Sequence, residues 1–105
     1  VRWRRVAVRG PSMSPVLRDS DVVLARFGAV ARPGDVVLVR WQARPGQLSV
    51  KRAAYRRDSG WWVLGDNLDG STDSRTLGPA QVVAVVRLRL WPRPGSLRPR
   101  PLTPP

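Results

Sequence analysis

The 105-residue chain carries a formal net charge of +12 and contains neither histidine nor cysteine. Those absences exclude a Ser-His-Asp triad, a thiolate nucleophile, and imidazole or thiolate metal sites, which leaves Ser, Thr, Lys or Asp for covalent chemistry. The length fits one small domain whose core must come from apolar burial, because no disulfide can staple it.

The predicted elements are short β-branched runs separated by turn residues. The chain begins with a dense basic cluster, Arg2-Trp3-Arg4-Arg5, followed by the turn-like segment Gly10-Pro11-Ser12-Met13-Ser14-Pro15. A short helical turn is expected over residues 14–17, since Pro15 suits a first helical position. Strands are expected over residues 21–27, 35–41, 47–55, 61–64 and 81–91, each preceded by a Gly, Pro or Asp/Ser cluster. Residues 87–90 alternate Arg and Leu, as a half-exposed strand does. The two Asp-Val-Val-Leu segments at Asp21 and Asp35 read as two similar core strands. No window supports a long amphipathic helix. The fold class is therefore all-β: a small, mostly antiparallel, barrel-like domain over residues 1–91 with short turns. Residues 92–105 are rich in proline and arginine and are expected to be a disordered tail that cannot pair in a sheet. No stretch reaches the roughly 18–20 apolar residues that span a bilayer, and no signal peptide is visible.

The cations are unevenly chosen. Eighteen are arginine and one is lysine, Lys51. Arginine does not deprotonate in a protein, whereas a desolvated lysine can. Lys51 is thus a candidate general base, and its expected strand neighbour Arg52 should point to the opposite face. A base needs a nucleophile. Ser12 sits where Gly10 and Pro11 leave the backbone open and stiff, so that an acyl carbon can approach.

Further blocks follow in order: Asp21-Val22-Val23-Leu24, Pro33-Gly34-Asp35, Val50-Lys51-Arg52, and a long block from Gly65-Asp66-Asn67 through Ser71-Thr72-Asp73-Ser74-Arg75 to Gly78. This order and spacing resemble the signal peptidase I-like (S26) family of Ser-Lys proteases, from about Val6 to Val86. The resemblance implies Ser12 as nucleophile, Lys51 as general base, and Ser71 as the hydroxyl that orients the lysine. Gly10, Pro11 and Met13 would lie beside the oxyanion and substrate, with Met13 packed beneath the serine. Gly65, Asp66 and Asn67 would form a supporting turn, and Asp73 and Arg75 an ion pair that holds the loop. No metal or cofactor is implied.

The large second β-domain of many family members has no counterpart, because Lys51 to Gly65 is only a short connection. No membrane anchor is expected before Ser12. This compact form resembles the nickel-type superoxide dismutase maturation proteases. It implies a cytoplasmic serine endopeptidase that removes a short N-terminal leader from a precursor protein. The alternative is a minimal type I signal peptidase, membrane-associated, with its anchor outside this chain. Peripheral membrane contact through Trp3, Trp41 and Trp91 would fit either form. A self-cleaving repressor-type protease ranks lower, because that class lacks the Gly65–Gly78 block. A basic nucleic-acid-binding barrel also ranks lower, because the arginines are scattered.

Overall fold

Runs of valine bounded by glycine, proline and aspartate set the strands. Branching at Cβ favours the extended backbone and packs well on a pleated surface. In the computed structural model, which describes residues 2–100, the strands are β1 (Arg2–Ala7), β2 (Val22–Phe27), β3 (Val36–Trp41), β4 (Arg44–Arg57), β5 (Gly60–Leu64), β6 (Gln81–Trp91) and β7 (Gly95–Ser96). They form one seven-stranded sheet in the order β1-β2-β6-β3-β4-β5, with β7 beside β6. All these pairings are antiparallel. A bridge between Trp61 and Ala80 ties the far edge back toward the start of β6, but the sheet does not close into a barrel.

The centre of the sheet is apolar on both faces. Val36 and Leu38 of β3, with Ala84 and Val86 of β6, join one core cluster that also holds Val23, Met13 and Leu17. Val37, Val39 and Val85 join a second cluster with Trp41, Ala53, Trp61 and Val63. A continuous apolar run such as β3 is what a strand covered on both sides requires.

The two Asp-Val-Val-Leu segments use one device. Asp21 accepts from the Arg18 amide at 2.9 Å, and Asp35 accepts from the Arg32 amide at 2.9 Å. Each carboxylate closes a turn with a backbone donor three residues earlier and hands the chain into a core strand.

Several expectations need correction. Strand β1 lies where the sequence suggested only a basic cluster, because its arginines hide the alternation. Strand β4 begins at Arg44, so Pro45 and Gly46, read as a turn, belong to its exposed first stretch. Proline is tolerated there because strand ends and edges can spare a backbone donor. The helical turn expected near Ser14 to Leu17 is present as a single turn that is not continued into a helix, with the Leu17 amide donating to the Met13 carbonyl at 2.9 Å. A short helix, α1 (Ser74–Leu77), was not anticipated; the Asp73 side chain caps it by accepting from the Arg75 amide.

The largest correction concerns the proline-rich tail. Gly95 and Ser96 pair with Arg89 and Leu88. The Leu97 amide donates to the Arg87 carbonyl at 2.8 Å, and the Arg100 amide to the Gly34 carbonyl at 2.9 Å. The Leu97 side chain packs on the first core cluster. Two residues between prolines suffice for a ladder contact, and one leucine supplies the apolar grip. Residues 101–105 lie outside the described part.

An ordered tail has an energetic signature. Leu97→Ala should lower stability by about 1–2 kcal/mol, below the range of a fully buried leucine because the side chain is only partly covered. Urea denaturation monitored by tryptophan fluorescence checks this; an unchanged midpoint would return the segment to a free tail.

Candidate active site

The site is assembled from three parts: the turn after β1, strand β4, and the segment that follows β5. Gly10 has φ +79, a left-handed conformation that suits glycine. Its amide donates to Asp19 Oδ1 at 2.7 Å. Ser12, two residues on, is partly exposed, while Met13 beneath it is fully buried.

The segment 65–67 grips this turn from the other side. The Asn67 amide donates to the Ser12 carbonyl at 2.8 Å, and Asn67 Nδ2 donates to the Pro11 carbonyl at 3.1 Å. The Asp66 amide reaches Met13 Sδ at 3.4 Å. Gly65 is required for closeness: a Cβ there would lie 2.5 Å from the Ser12 carbonyl oxygen and would also strike the Ser71 side chain.

Strand β4 supplies two buried cations in succession. Lys51 pairs in register with Val37 and Arg52 with Val36, so their side chains leave opposite faces of the strand. Arg52 is only 2 % exposed. It forms a two-pronged contact with Asp66, at 3.1 Å from Nε and 2.7 Å from Nη2, and donates to the Gly34 carbonyl at 3.0 Å. Arg100 reaches Asp66 Oδ1 at 3.0 Å from outside. Bidentate geometry and several partners offset the cost of burying these charges.

Lys51 is 5 % exposed. Burial pushes its amine below the ordinary lysine value, and the charge of Asp73 pulls it back part of the way. Arg52, whose charge is already met by Asp66, is not among the causes. Lys51 and Ser12 line one cavity of about 230 Å³, together with Gly10, Pro11, Leu38, Trp41 and Thr72 among others.

Asp73 is the hub of the third part. Its carboxylate accepts from the Gly65 amide at 2.9 Å, from the Ser71 hydroxyl at 3.0 Å, and from Arg75 Nε at 2.9 Å. Burial alone would raise its pKa, but these donors outweigh burial and hold the carboxyl below its usual range. The Ser71 proton is therefore committed to Asp73. The lone pairs of its oxygen are what Ser71 has left to offer an amine.

The structure thus brings Ser12, Lys51, Gly10 and Pro11 to one cavity, while Ser71 lies against Gly65, is not part of that lining, and bonds to Asp73 and not to Lys51. Met13, Asp66, Asn67, Asp73 and Arg75 stand behind them. Trp41 was grouped with exposed tryptophans, but it is 2 % exposed and walls the cavity. Its indole Nε1 donates to the Gly78 carbonyl at 2.8 Å. Trp3 and Trp91 are indeed exposed, at 49 % and 59 %. Sequence reasoning missed Asp19, Thr72 and the Arg52–Asp66 pair. Only the pair had a signal: an arginine set between Val50-Lys51 and Ala53-Ala54 in the inner stretch of a strand needs an acid if it is buried.

A small antiparallel β-domain with serine and a buried lysine around one cleft has the makings of a peptidase. The chain belongs to the Peptidase S24-like family, which it matches over residues 5–86. It is 30 % identical to mitochondrial inner membrane protease subunit 1 of Xenopus tropicalis, across 83 % of this chain and 68 % of that protein. It is 36 % identical to the mitochondrial ATP-independent inner membrane protease subunit 1a of Arabidopsis thaliana, across 87 % and 73 %. The human subunit 1 is 29 % identical, across 83 % and 69 %. These matches establish the S24/S26 peptidase-like superfamily, a coarser grouping than the signal peptidase branch expected from the sequence. Among the described residues no helix is long and apolar enough to cross a membrane.

Gly65→Ala should leave a folded protein whose Ser12 turn is displaced. A shift of about 1 Å in a reacting group can cost on the order of a hundredfold in rate. Circular dichroism and peptide cleavage measured together test this; wild-type cleavage in the alanine variant would mean that the contact does not set the turn.

Proposed function

We propose that the chain is a serine endopeptidase with a Ser12–Lys51 dyad that removes a short N-terminal leader from a precursor protein. The observation that carries this reading is a buried lysine amine, depressed by desolvation, on the same cavity as Ser12 in a chain of a peptidase family. The neutral amine of Lys51 takes the Ser12 hydroxyl proton as Oγ attacks the scissile carbonyl carbon. The tetrahedral intermediate collapses when Lys51 passes that proton to the leaving amine. Water, activated by the same amine, then hydrolyses the ester on Ser12.

The oxyanion draws on the Ser12 amide, which has no hydrogen-bond partner among the described residues. The Gly10 amide is spent on Asp19, so a second donor comes from elsewhere in the cleft. Ser71, with its proton on Asp73, has oxygen lone pairs free to take an N–H of Lys51 during the reaction, which would leave the nitrogen lone pair for Ser12. Asp73 and Arg75 hold that arrangement.

The nickel-type superoxide dismutase precursor is the first substrate to test, because the β4–β5 connection is as short as that compact branch requires. Relatives named as inner membrane proteases support the alternative, a minimal signal peptidase acting on exported precursors.

Ser12→Ala and Lys51→Arg should each reduce cleavage of a precursor by about a thousandfold or more while preserving the fold. Lys51→Arg is the sharper change, since it keeps a long basic side chain but one that cannot give up its proton to act as the base. Mass spectrometry of the products gives the answer, and cleavage retained in the arginine variant would dismiss the mechanism. The chain incubated alone should keep its mass, which separates this reading from a self-cleaving one.

The pH dependence has a fixed sign. The native amine holds its proton less tightly than the unfolded one, so stability rises with pH across the window below the ordinary lysine pKa. Activity should rise through the same depressed pKa, as the neutral base appears. Lys51→Met should abolish activity and flatten this stretch of the stability profile. A stability curve of unchanged slope in Lys51→Met would show that the amine is not the titrating group.

A further inference from the structure

The C-terminal segment builds a second concave surface that shares no lining residue with the Ser12–Lys51 cavity. This cleft, about 550 Å³, lies between residues 93–100 and the Pro15–Val16 turn, and Arg89, Arg93, Arg98 and Arg100 line it. Arg52 lines it as well, and of the five only Arg52 and Arg100 meet an acid. Arg89 donates to the Arg93 carbonyl and, at 2.9 Å, to the Val16 carbonyl. Arg100 shares the buried Asp66 with Arg52. Among the described residues the guanidinium groups of Arg93 and Arg98 have no hydrogen-bond or ion-pair partner. The segment that carries them is fixed by β7, by Leu97 in the core and by the Arg100–Gly34 contact. The backbone that carries these cations is therefore fixed, and no acidic residue lines the cleft.

We propose that this cleft binds the phosphate headgroup of an anionic phospholipid and docks the protein on a membrane surface. Clustered guanidinium groups with unspent planar donors match phosphate oxygens. The neighbourhood favours a lipid over a free anion. Trp91, 59 % exposed, lies two residues before Arg93, and Leu88, 37 % exposed, pairs with Ser96 at the rim. An indole beside basic side chains is the composition of an interfacial anchor. A headgroup held here does not occupy the Ser12–Lys51 cavity, because the two lining sets do not overlap.

The net charge alone would attract any anionic surface, so the test needs a charge-matched control. The full chain is sedimented with vesicles of phosphatidylcholine, alone or mixed with phosphatidylglycerol, at physiological ionic strength. Wild type should pellet with the mixed vesicles and not with the neutral ones. The Arg93→Gln/Arg98→Gln variant should bind about tenfold or more weakly, each lost cation being worth roughly fivefold. The Arg56→Gln/Arg57→Gln variant, equal in charge, should bind nearly as wild type. Equal losses in the two variants would reduce the effect to net charge and overturn the site. Undiminished binding without Arg93 and Arg98 would do the same. Capture of inorganic phosphate or a single-stranded oligonucleotide in preference to vesicles, through the same arginines, would overturn the lipid assignment. Peptide cleavage in solution is expected to be unchanged in both variants, so this result stands apart from the Ser12–Lys51 reading.

Discussion

Two adjacent cations on one strand, sent to opposite faces and treated differently, are the constraint on which the rest depends. The pleat of β4 separates Lys51 from Arg52. Arg52 receives partners for four of its five N–H donors, two on Asp66 as counter-ion and two on backbone carbonyls. A guanidinium cannot escape burial by losing its proton, so the fold must neutralise it. Lys51 receives no such counter-ion in contact. Its one acidic neighbour, Asp73, is engaged by Arg75, Ser71 and the Gly65 amide. An ammonium buried in that way yields its proton more easily. Exchanging the two residues would place the permanent charge in the cleft and the labile one against Asp66.

Asp66 connects the two faces. Its side chain holds Arg52 and Arg100, and its amide touches Met13 beneath the Ser12 turn. Gly65 and Asn67 on either side complete the grip on that turn. The segment after β5 therefore serves the interior of the sheet, the C-terminal segment and the Ser12 turn together. Few residue types fit so many contacts in so short a stretch, and so the block is distinctive as a sequence.

Much of this was legible beforehand. The five apolar runs predicted as strands are strands, because β-branched residues between turn signals leave little alternative. Ser12, Lys51 and the Gly65–Arg75 block were nameable because their spacing is specific. What stayed hidden depended on contacts between residues distant in sequence. Strand β1 offers no apolar period and owes its order to the ladder with β2. The tail looked incapable of pairing because proline dominates its composition, yet order there rests on the residues between the prolines, Gly95, Ser96 and Leu97, and on Arg100. Trp41 could not be told from Trp3 and Trp91 without knowing that Gly78 would meet its indole. Asp19 gave no hint of its hold on Gly10, since a turn aspartate ordinarily caps its own neighbours.

Strand β1 forms one margin of the sheet, with β2 on one side only. An open margin of backbone donors and acceptors invites another chain to extend the ladder. Here that margin reads Arg-Trp-Arg-Arg-Val-Ala, almost wholly exposed. Two copies approaching edge to edge would bring several guanidinium groups together in water-poor surroundings, and their mutual repulsion opposes accretion into fibrils. The basic cluster at residues 2–5 thus acts as a gatekeeper of colloidal stability. High salt, by screening that repulsion, is the condition under which this margin becomes sticky.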